Sequence, residues 1–254
     1  MRVCVLASGS AANALLIERG ATRILVDAGL AASTTLRWLE AFGVWPTTLQ
    51  AILLTHEHDD HARGAAAVAR LTGAVVLGNE RTLRVLDLAG APHDRFEKLQ
   101  PFAVGDLEIE AVPVAHDAAD PVAFVITGGR TRIAVATDLG GAGEAFVERA
   151  RGADLVLLEA NYDLRLLSVS PYPRSVKNRL LSPRGHLSND AAARMAVRLH
   201  AGSTQRIVLL HLSEVNNLPP LARDIVAGAL GREGIDGVTV ETVRPNTGGV
   251  FWTL

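Results

Sequence analysis

Short apolar runs, separated by polar or glycine-containing turns, recur from one end of the chain to the other. RVCVLA (2–7), ALLIE (14–18), RILVD (23–27), AILLT (51–55), AVVL (74–77), LEIEAVPV (107–114), VAFVIT (122–127), RIAVATD (132–138), DLVLLEA (154–160), RIVLLH (206–211) and VTVETV (238–243) have the length and the β-branched content of strands. Stretches with helical spacing fill the gaps, the clearest at 33–42, 62–72, 79–89, 143–151, 188–201 and 219–230. Several open on Ser, Asn or Asp as a cap and close on Gly. Strands alternating with helices predict an α/β fold.

A weak internal symmetry refines that prediction. ILVDAG (24–29) is echoed by IAVATDLGG (133–141), and AILLTHEH (51–58) by RIVLLHLSE (206–214), as if two β-rich halves met near residue 130. No Pro- or Ser-rich linker divides the chain and no short solenoid repeat runs through it. Residues 1–254 are therefore expected to form one domain of two sheets with helices outside.

Composition narrows the chemistry. The 254 residues carry 25 basic and 27 acidic side chains, a formal charge of −2, so no whole-molecule field draws the chain to nucleic acid or to an anionic membrane. Attraction to phosphate must be local. No apolar run is long enough to span a bilayer, and VCVLA is too short for a signal-peptide core, which makes the cytoplasm the expected location. Cys4 is the single cysteine, so any metal must be held by nitrogen and oxygen.

THEHDDH (55–61) supplies both. In an extended loop, alternate residues point the same way, so His56 and His58 can grip one ion while Asp60 and His61 turn toward a second. Asp27, His56, His116, Asp138 and His211 each lie at, or one or two residues past, the carboxyl end of a separate predicted strand, the edge on which α/β sheets build their sites. His56, His58, His116 and Asp138 would complete four-coordination of one ion. Asp60, His61, His211 and the same Asp138 would do so for the other, leaving a bridging position for water. Asp27 is expected behind a ligand histidine, accepting its other ring N–H. Two divalent ions, two aspartates and a bridging hydroxide leave about one net positive charge, which attracts anions. Paired ions suit the in-line displacement of phosphoester hydrolysis better than amide cleavage. Imidazole and carboxylate together suit Zn or Mn, with Fe also compatible.

THEHDDH with His116, Asp138 and His211 resembles the metallo-β-lactamase-fold superfamily, and the resemblance covers essentially the whole chain. It implies a four-layer αββα sandwich. SGSAAN (8–13), LLEANYD (157–163) and SPYPRSVKNRLLSPRGHLSND (170–190) resemble more closely the YycJ/WalJ group, which implies 5′-to-3′ exonuclease activity on DNA. Where that group usually has His, this chain has Tyr162, which is given no metal role. His58, where redox members tend to carry Glu, favours hydrolysis. The resemblance also implies that Glu159 and His186 form the pair that protonates the leaving oxygen; plain phosphate binding is the competing role for His186.

Substrate contacts are expected at two edges. The stretch 164–189 holds Arg165, Arg174, Lys177, Arg179 and Arg184 without an acidic residue, either lining the approach for backbone phosphates or forming a solvated basic loop. Prolines flanking Tyr172 would stiffen it, and the tyrosine ring could stack a base. Ser188 and Asn189 open the next helix, where backbone N–H groups favour phosphate. At the other edge, Ser10 and Asn13 lie in a Gly/Ser turn that either touches substrate or is purely structural.

The sequence thus predicts a binuclear metal-dependent phosphodiesterase, acting on DNA strand ends in the 5′-to-3′ direction with Asp60, His186 and Glu159 catalytic. The alternatives are a small-substrate thioester hydrolase of glyoxalase type, which would share the ligands but not need the basic segment, and a non-catalytic metal-binding regulatory module. Oligomeric state is not encoded in any of these features.

Overall fold

In the computed structural model, which describes residues 1–141, 143–245 and 247–254, the strands follow in the order β1 (Arg2–Ala7), β2 (Ala14–Arg19), β3 (Thr22–Val26), β4 (Ala51–Leu53), β5 (Val75–Gly78), β6 (His93–Arg95), β7 (Phe102–Val104), β8 (Leu107–Pro113), β9 (Val122–Gly128), β10 (Thr131–Ala136), β11 (Leu155–Glu159), β12 (Arg206–Leu210), β13 (Thr239–Thr242) and β14 (Val250–Thr253). The helices are α1 (Ala32–Ala41), α2 (Asp59–Ala62), α3 (Ala65–Thr72), α4 (Glu80–Val85), α5 (Glu144–Ala150), α6 (Leu164–Val169), α7 (Arg174–Leu180), α8 (Asn189–Leu199) and α9 (Pro219–Arg232).

Many strands read as unbroken apolar runs because both of their faces are buried. In β10, Ile133 and Val135 face the space between the two sheets while Ala134 and Ala136 pack under helices; β11 and β12 divide their residues the same way. On the other sheet, Val3 and Val5 of β1 point inward, and Cys4 and Leu6 meet the layer of α1 and α3. Three cores result: one between the sheets, one under α5, α8 and α9, and one under α1 and α3. That is the expected αββα arrangement.

The sheets are ordered β14-β1-β2-β3-β4-β5-β6 and β13-β12-β11-β10-β9-β8-β7. From β14 inward and from β7 inward, each runs through three antiparallel pairings and then three parallel ones. The internal symmetry is therefore real, but two of its details need correction. The first seven-stranded set gives way to the second between β6 and β7, not near residue 130, and β14 returns to the first sheet. The echo of β3 in β10 matches equivalent positions, whereas β4 corresponds to β11 rather than to β12.

Other departures have local causes. β6 is the tripeptide HDR, fully exposed, and gives no apolar signal. β7 and β14 are only three and four residues long and were also missed. The helix expected at 62–72 starts at Asp59 and breaks at Gly64, while the one expected at 79–89 ends at Val85, after which Leu86 is extended. The basic stretch expected to be a stiff loop forms α6 and α7, with Asp163 capping α6 by accepting from the N–H groups of Arg165 and Leu166. Among the described residues no helix is long and apolar enough to cross a membrane.

Candidate metal centre

The fold divides THEHDDH in two. β4 ends at Leu53, His56 and His58 follow on irregular chain, and at Asp59 the backbone turns into α2, which carries Asp60 and His61. The expected split of the motif toward two groups thus comes from a helical turn, not from an extended loop. Asn13 N–H donates to the Asp60 carbonyl at 2.7 Å and Ala28 N–H to the His61 carbonyl at 2.7 Å, which anchors the turn. Gly29 packs so closely that a Cβ there would overlap the Asp60 carbonyl.

The remaining donors arrive from strand ends. Asp27 follows β3 and His211 follows β12, and both take left-handed backbone, with φ of 61° and 53°. Non-glycine residues seldom adopt this region unless their surroundings over-determine it. His211 is indeed held from several sides: its N–H donates to Ser8 Oγ at 2.8 Å, and its carbonyl accepts from Asn161 Nδ2 at 2.9 Å. His116 lies beyond β8, Asp138 beyond β10, Glu159 at the end of β11, and His186 shortly before α8.

These side chains converge. The donor atoms of His56, His58 and His116 lie within 4.8 Å of one another, as do those of Asp60, His61 and His211. Asp138 joins the two sets: its Oδ2 is 3.4 Å from His56 Nε2 and 2.6 Å from His61 Nε2, and its Oδ1 is 2.5 Å from His211 Nδ1. Oxygen atoms behind the rings fix several imidazoles. His61 Nδ1 lies 2.7 Å from Asp27 Oδ2, His116 Nδ1 2.9 Å from the Gly185 carbonyl, and His56 Nδ1 2.9 Å from Thr55 Oγ1. The Thr55 hydroxyl can accept from His56 because it donates its own proton to Asp27, 2.9 Å away. With the proton held on Nδ1, each of these three rings would turn an Nε2 lone pair to a bound metal.

The donor set fits divalent cations by its composition and burial. Asp138 Oδ1 is buried without a well-directed hydrogen-bond donor. Burial would raise the Asp138 carboxyl, but the imidazoles of His211 and His61 hold it well below the usual range. Burial lowers His56, reinforced by the neighbouring His61. For His61 the facing carboxylates of Asp138 and Asp27 outweigh burial and raise it. A buried cluster of this composition, with imidazole nitrogen and carboxylate oxygen directed at each other, suits divalent metal ions.

Beside the cluster, His186 Nδ1 lies 2.5 Å from Glu159 Oε1. Glu159 is fully buried and oriented through Oε2, which accepts from the N–H groups of Leu139 at 2.8 Å and Leu187 at 3.1 Å. Burial opposes protonation of His186, yet the carboxylates of Glu159 and Asp138 raise its pKa to about 10. His186 and the donors His58, Asp60, His116, Asp138 and His211 line one cleft of about 230 Å³, together with Ser10, Tyr172 and Arg179.

Comparison with known proteins agrees with this geometry. A family model described as "Beta-lactamase superfamily domain" matches residues 22–212. The chain belongs to the metallo-β-lactamase superfamily. Exodeoxyribonuclease YycJ of Bacillus anthracis is 34 % identical over 235 residues, covering 91 % of this chain and 89 % of that protein. Exodeoxyribonuclease WalJ of Streptococcus pneumoniae serotype 2 (strain D39) is 33 % identical over 244 residues, covering 93 % and 90 %. The crystal structure of the metallo-β-lactamase-fold protein YhfI from Bacillus subtilis superposes with a TM-score of 0.75 at 17 % identity, covering 99 % of each chain. Together with the exodeoxyribonuclease relatives, this membership makes the protein a metallo-β-lactamase-fold hydrolase.

Within this hydrolase, the residues expected to meet substrate fall in different places. Ser10, Tyr172 and Arg179 line the cleft. Asn13 is buried and braces the donors, with Nδ2 3.3 Å from Asp60 Oδ2 and 3.0 Å from His61 Nε2. Asn189 is 1 % exposed, and its amide pairs reciprocally with that of Asn217 at 2.9 and 2.8 Å, so it secures a loop away from the cleft. Ser188 caps α8 by accepting from Ala191 N–H. Lys177 donates to the Ser168 carbonyl at 2.8 Å and, like Arg174, does not line the cleft. Arg179 is paired with Asp117, whose Oδ1 is also 3.1 Å from His116 Nε2. Asp117 was missed although it follows a candidate ligand directly, and Thr55 was missed although it opens the motif. A single Asp or Thr carries no periodic or spacing signal.

Proposed function

We propose that this hydrolase is a binuclear metal-dependent phosphodiesterase that degrades DNA from a 5′ end. The observation that carries the reading is the convergence of two donor sets on Asp138, with His186, backed by Glu159, lining the same cleft. In this reading His56, His58, His116 and Asp138 hold one ion, and Asp60, His61, His211 and Asp138 hold the other. Exonuclease relatives at 33 to 34 % identity over nine-tenths of the chain support DNA as the substrate.

Bound ions would supply an activated water nucleophile and offset charge on the phosphoryl group. The chain's own residues do the rest. Asp60, braced by Asn13, orients the attacking oxygen. Glu159 keeps His186 protonated and fixes its Nδ1, which leaves Nε2 to give a proton to the departing oxygen as its bond to phosphorus breaks. The products are a phosphomonoester and an alcohol. Ser10 and Tyr172, on the wall of the metal-donor cleft, are proposed to position the nucleotide that carries the attacked phosphate. The Arg179–Asp117 pair sets the wall beside His116, with the Arg179 charge balanced by its partner.

The test is a panel of 5′-phosphorylated and 5′-hydroxyl single and double strands, offered to metal-depleted protein refilled with Mn, Zn or Mg, with Asp60→Ala alongside. Metal-dependent shortening from the 5′ end that is lost in the variant is expected. Refilled wild-type protein that cuts no DNA, RNA or small phosphodiester would sink the proposal.

A further inference from the structure

His186 faces two openings. On one side is the metal-donor cleft; on the other is a larger cleft of about 480 Å³ between α8 and the 181–183 turn. The wall of this second cleft includes Gly140, Ser182, Ser188, Arg194 and Arg198, and no carboxylate among the described residues. Arg194 and Arg198 are four residues apart and so lie on one stripe of α8, while Ala192, Ala193, Met195, Ala196 and Leu199 are buried. Arg198 is committed at one edge to Glu144, 2.5 Å away. Arg194 is exposed and has no hydrogen bond or ion pair among the described residues.

We infer that this second cleft receives the nucleotide on the leaving side of the scissile bond, with the Arg194 guanidinium binding the phosphate next to the one attacked. The inference rests on the phosphodiesterase reading. If His186 protonates the departing oxygen, the departing group must lie beside His186, and the other space that His186 lines is this cleft. Its volume falls in the range of small-molecule sites. A free guanidinium in a wall without carboxylates recognises phosphate through paired N–H donors. For a strand cut at its first internucleotide bond, the phosphate at Arg194 is the 5′-terminal monoester; for a cut further in, it is a diester.

The experiment is steady-state kinetics of the metal-loaded protein on 5′-phosphorylated and 5′-hydroxyl strands, comparing wild type with Arg194→Gln, Arg194→Lys and the surface control Arg130→Gln, in the exposed turn between β9 and β10. Arg194→Gln should raise KM about tenfold at unchanged kcat, the loss of one charge-assisted contact. Its log–log dependence on salt should flatten by about one, as for one lost phosphate contact. Arg194→Lys should recover part of the loss. A KM effect confined to 5′-phosphorylated strands supports the inference with a terminal monoester in the cleft, and an equal effect on both supports it with a diester. Wild-type protein that cuts strands while Arg194→Gln matches it, or matches Arg130→Gln, overturns the subsite alone. Wild-type protein inactive on every strand removes the phosphodiesterase reading and the subsite with it.

Discussion

Asp27→Asn isolates the contribution of a residue that touches no substrate. Asp27 is fully buried and its two oxygens serve three donors: Thr55 N–H at 2.9 Å, the Thr55 hydroxyl at 2.9 and 3.0 Å, and His61 Nδ1 at 2.7 Å. Asparagine has nearly the same shape and tolerates the left-handed backbone that this position requires, so strain is not the variable. The amide has one oxygen where the carboxylate has two. If that oxygen stays with Thr55, the NH₂ faces His61 Nδ1, which must then become an acceptor. The His61 proton moves to Nε2, the atom aimed at Asp138 and Asp60. A protonated Nε2 cannot ligate. Loss of such a supporting carboxylate weakens metal binding by roughly 10- to 100-fold, or about 1.4 to 2.8 kcal/mol. The assay is chelator competition with metal content read by elemental analysis, alongside thermal unfolding of metal-free and metal-loaded protein. Metal should be released at lower chelator concentration, and the stability deficit should be larger in loaded protein than in metal-free protein, which loses only the Asp27–His61 ion pair. A variant that keeps wild-type affinity, or one whose metal-free form is equally destabilised, would refute the tautomer argument.

Three more expectations follow from the same contacts. Glu159→Gln removes the largest influence raising the His186 pKa of about 10, so kcat should fall by about 10²-fold or more. Because His186 must be protonated to donate, the alkaline limb of the kcat profile should also move to lower pH. Gly29→Ala drives a Cβ into the Asp60 carbonyl, and displacement of α2 should cost about 1 to 3 kcal/mol of stability and reduce metal content, read by denaturant unfolding and elemental analysis. Cys4 is fully buried and burial raises its thiol to about 11, so a thiol-specific disulfide reagent at neutral pH should leave the native protein unmodified and react with one equivalent after unfolding; rapid reaction of native protein would contradict the packing of β1.

Much of this molecule is written in local patterns. Val3 and Val5 against Cys4 and Leu6, or Ile133 and Val135 against Ala134 and Ala136, alternate with the two-residue period of a strand whose faces are both apolar, and that alone announces a sandwiched sheet. Chemical identity is equally local: THEHDDH names nitrogen and oxygen donors at ligand spacing, and strand-end positions mark Asp27, His116, Asp138 and His211 as their companions. What lay beyond the sequence is every feature set by contact between distant segments. HDR became β6 because a neighbouring strand offered its backbone, not because its side chains prefer a pleat. Asn189 looked available until Asn217 took both ends of its amide, and Arg179 looked free until Asp117, 62 residues away, paired with it. The cleft beside Arg194 exists only where α8 meets the 181–183 turn. A residue's type and its immediate neighbours fix what it can bind and which way it points along its own element. Which partner arrives from elsewhere depends on how the layers stack, and only the folded chain decides that.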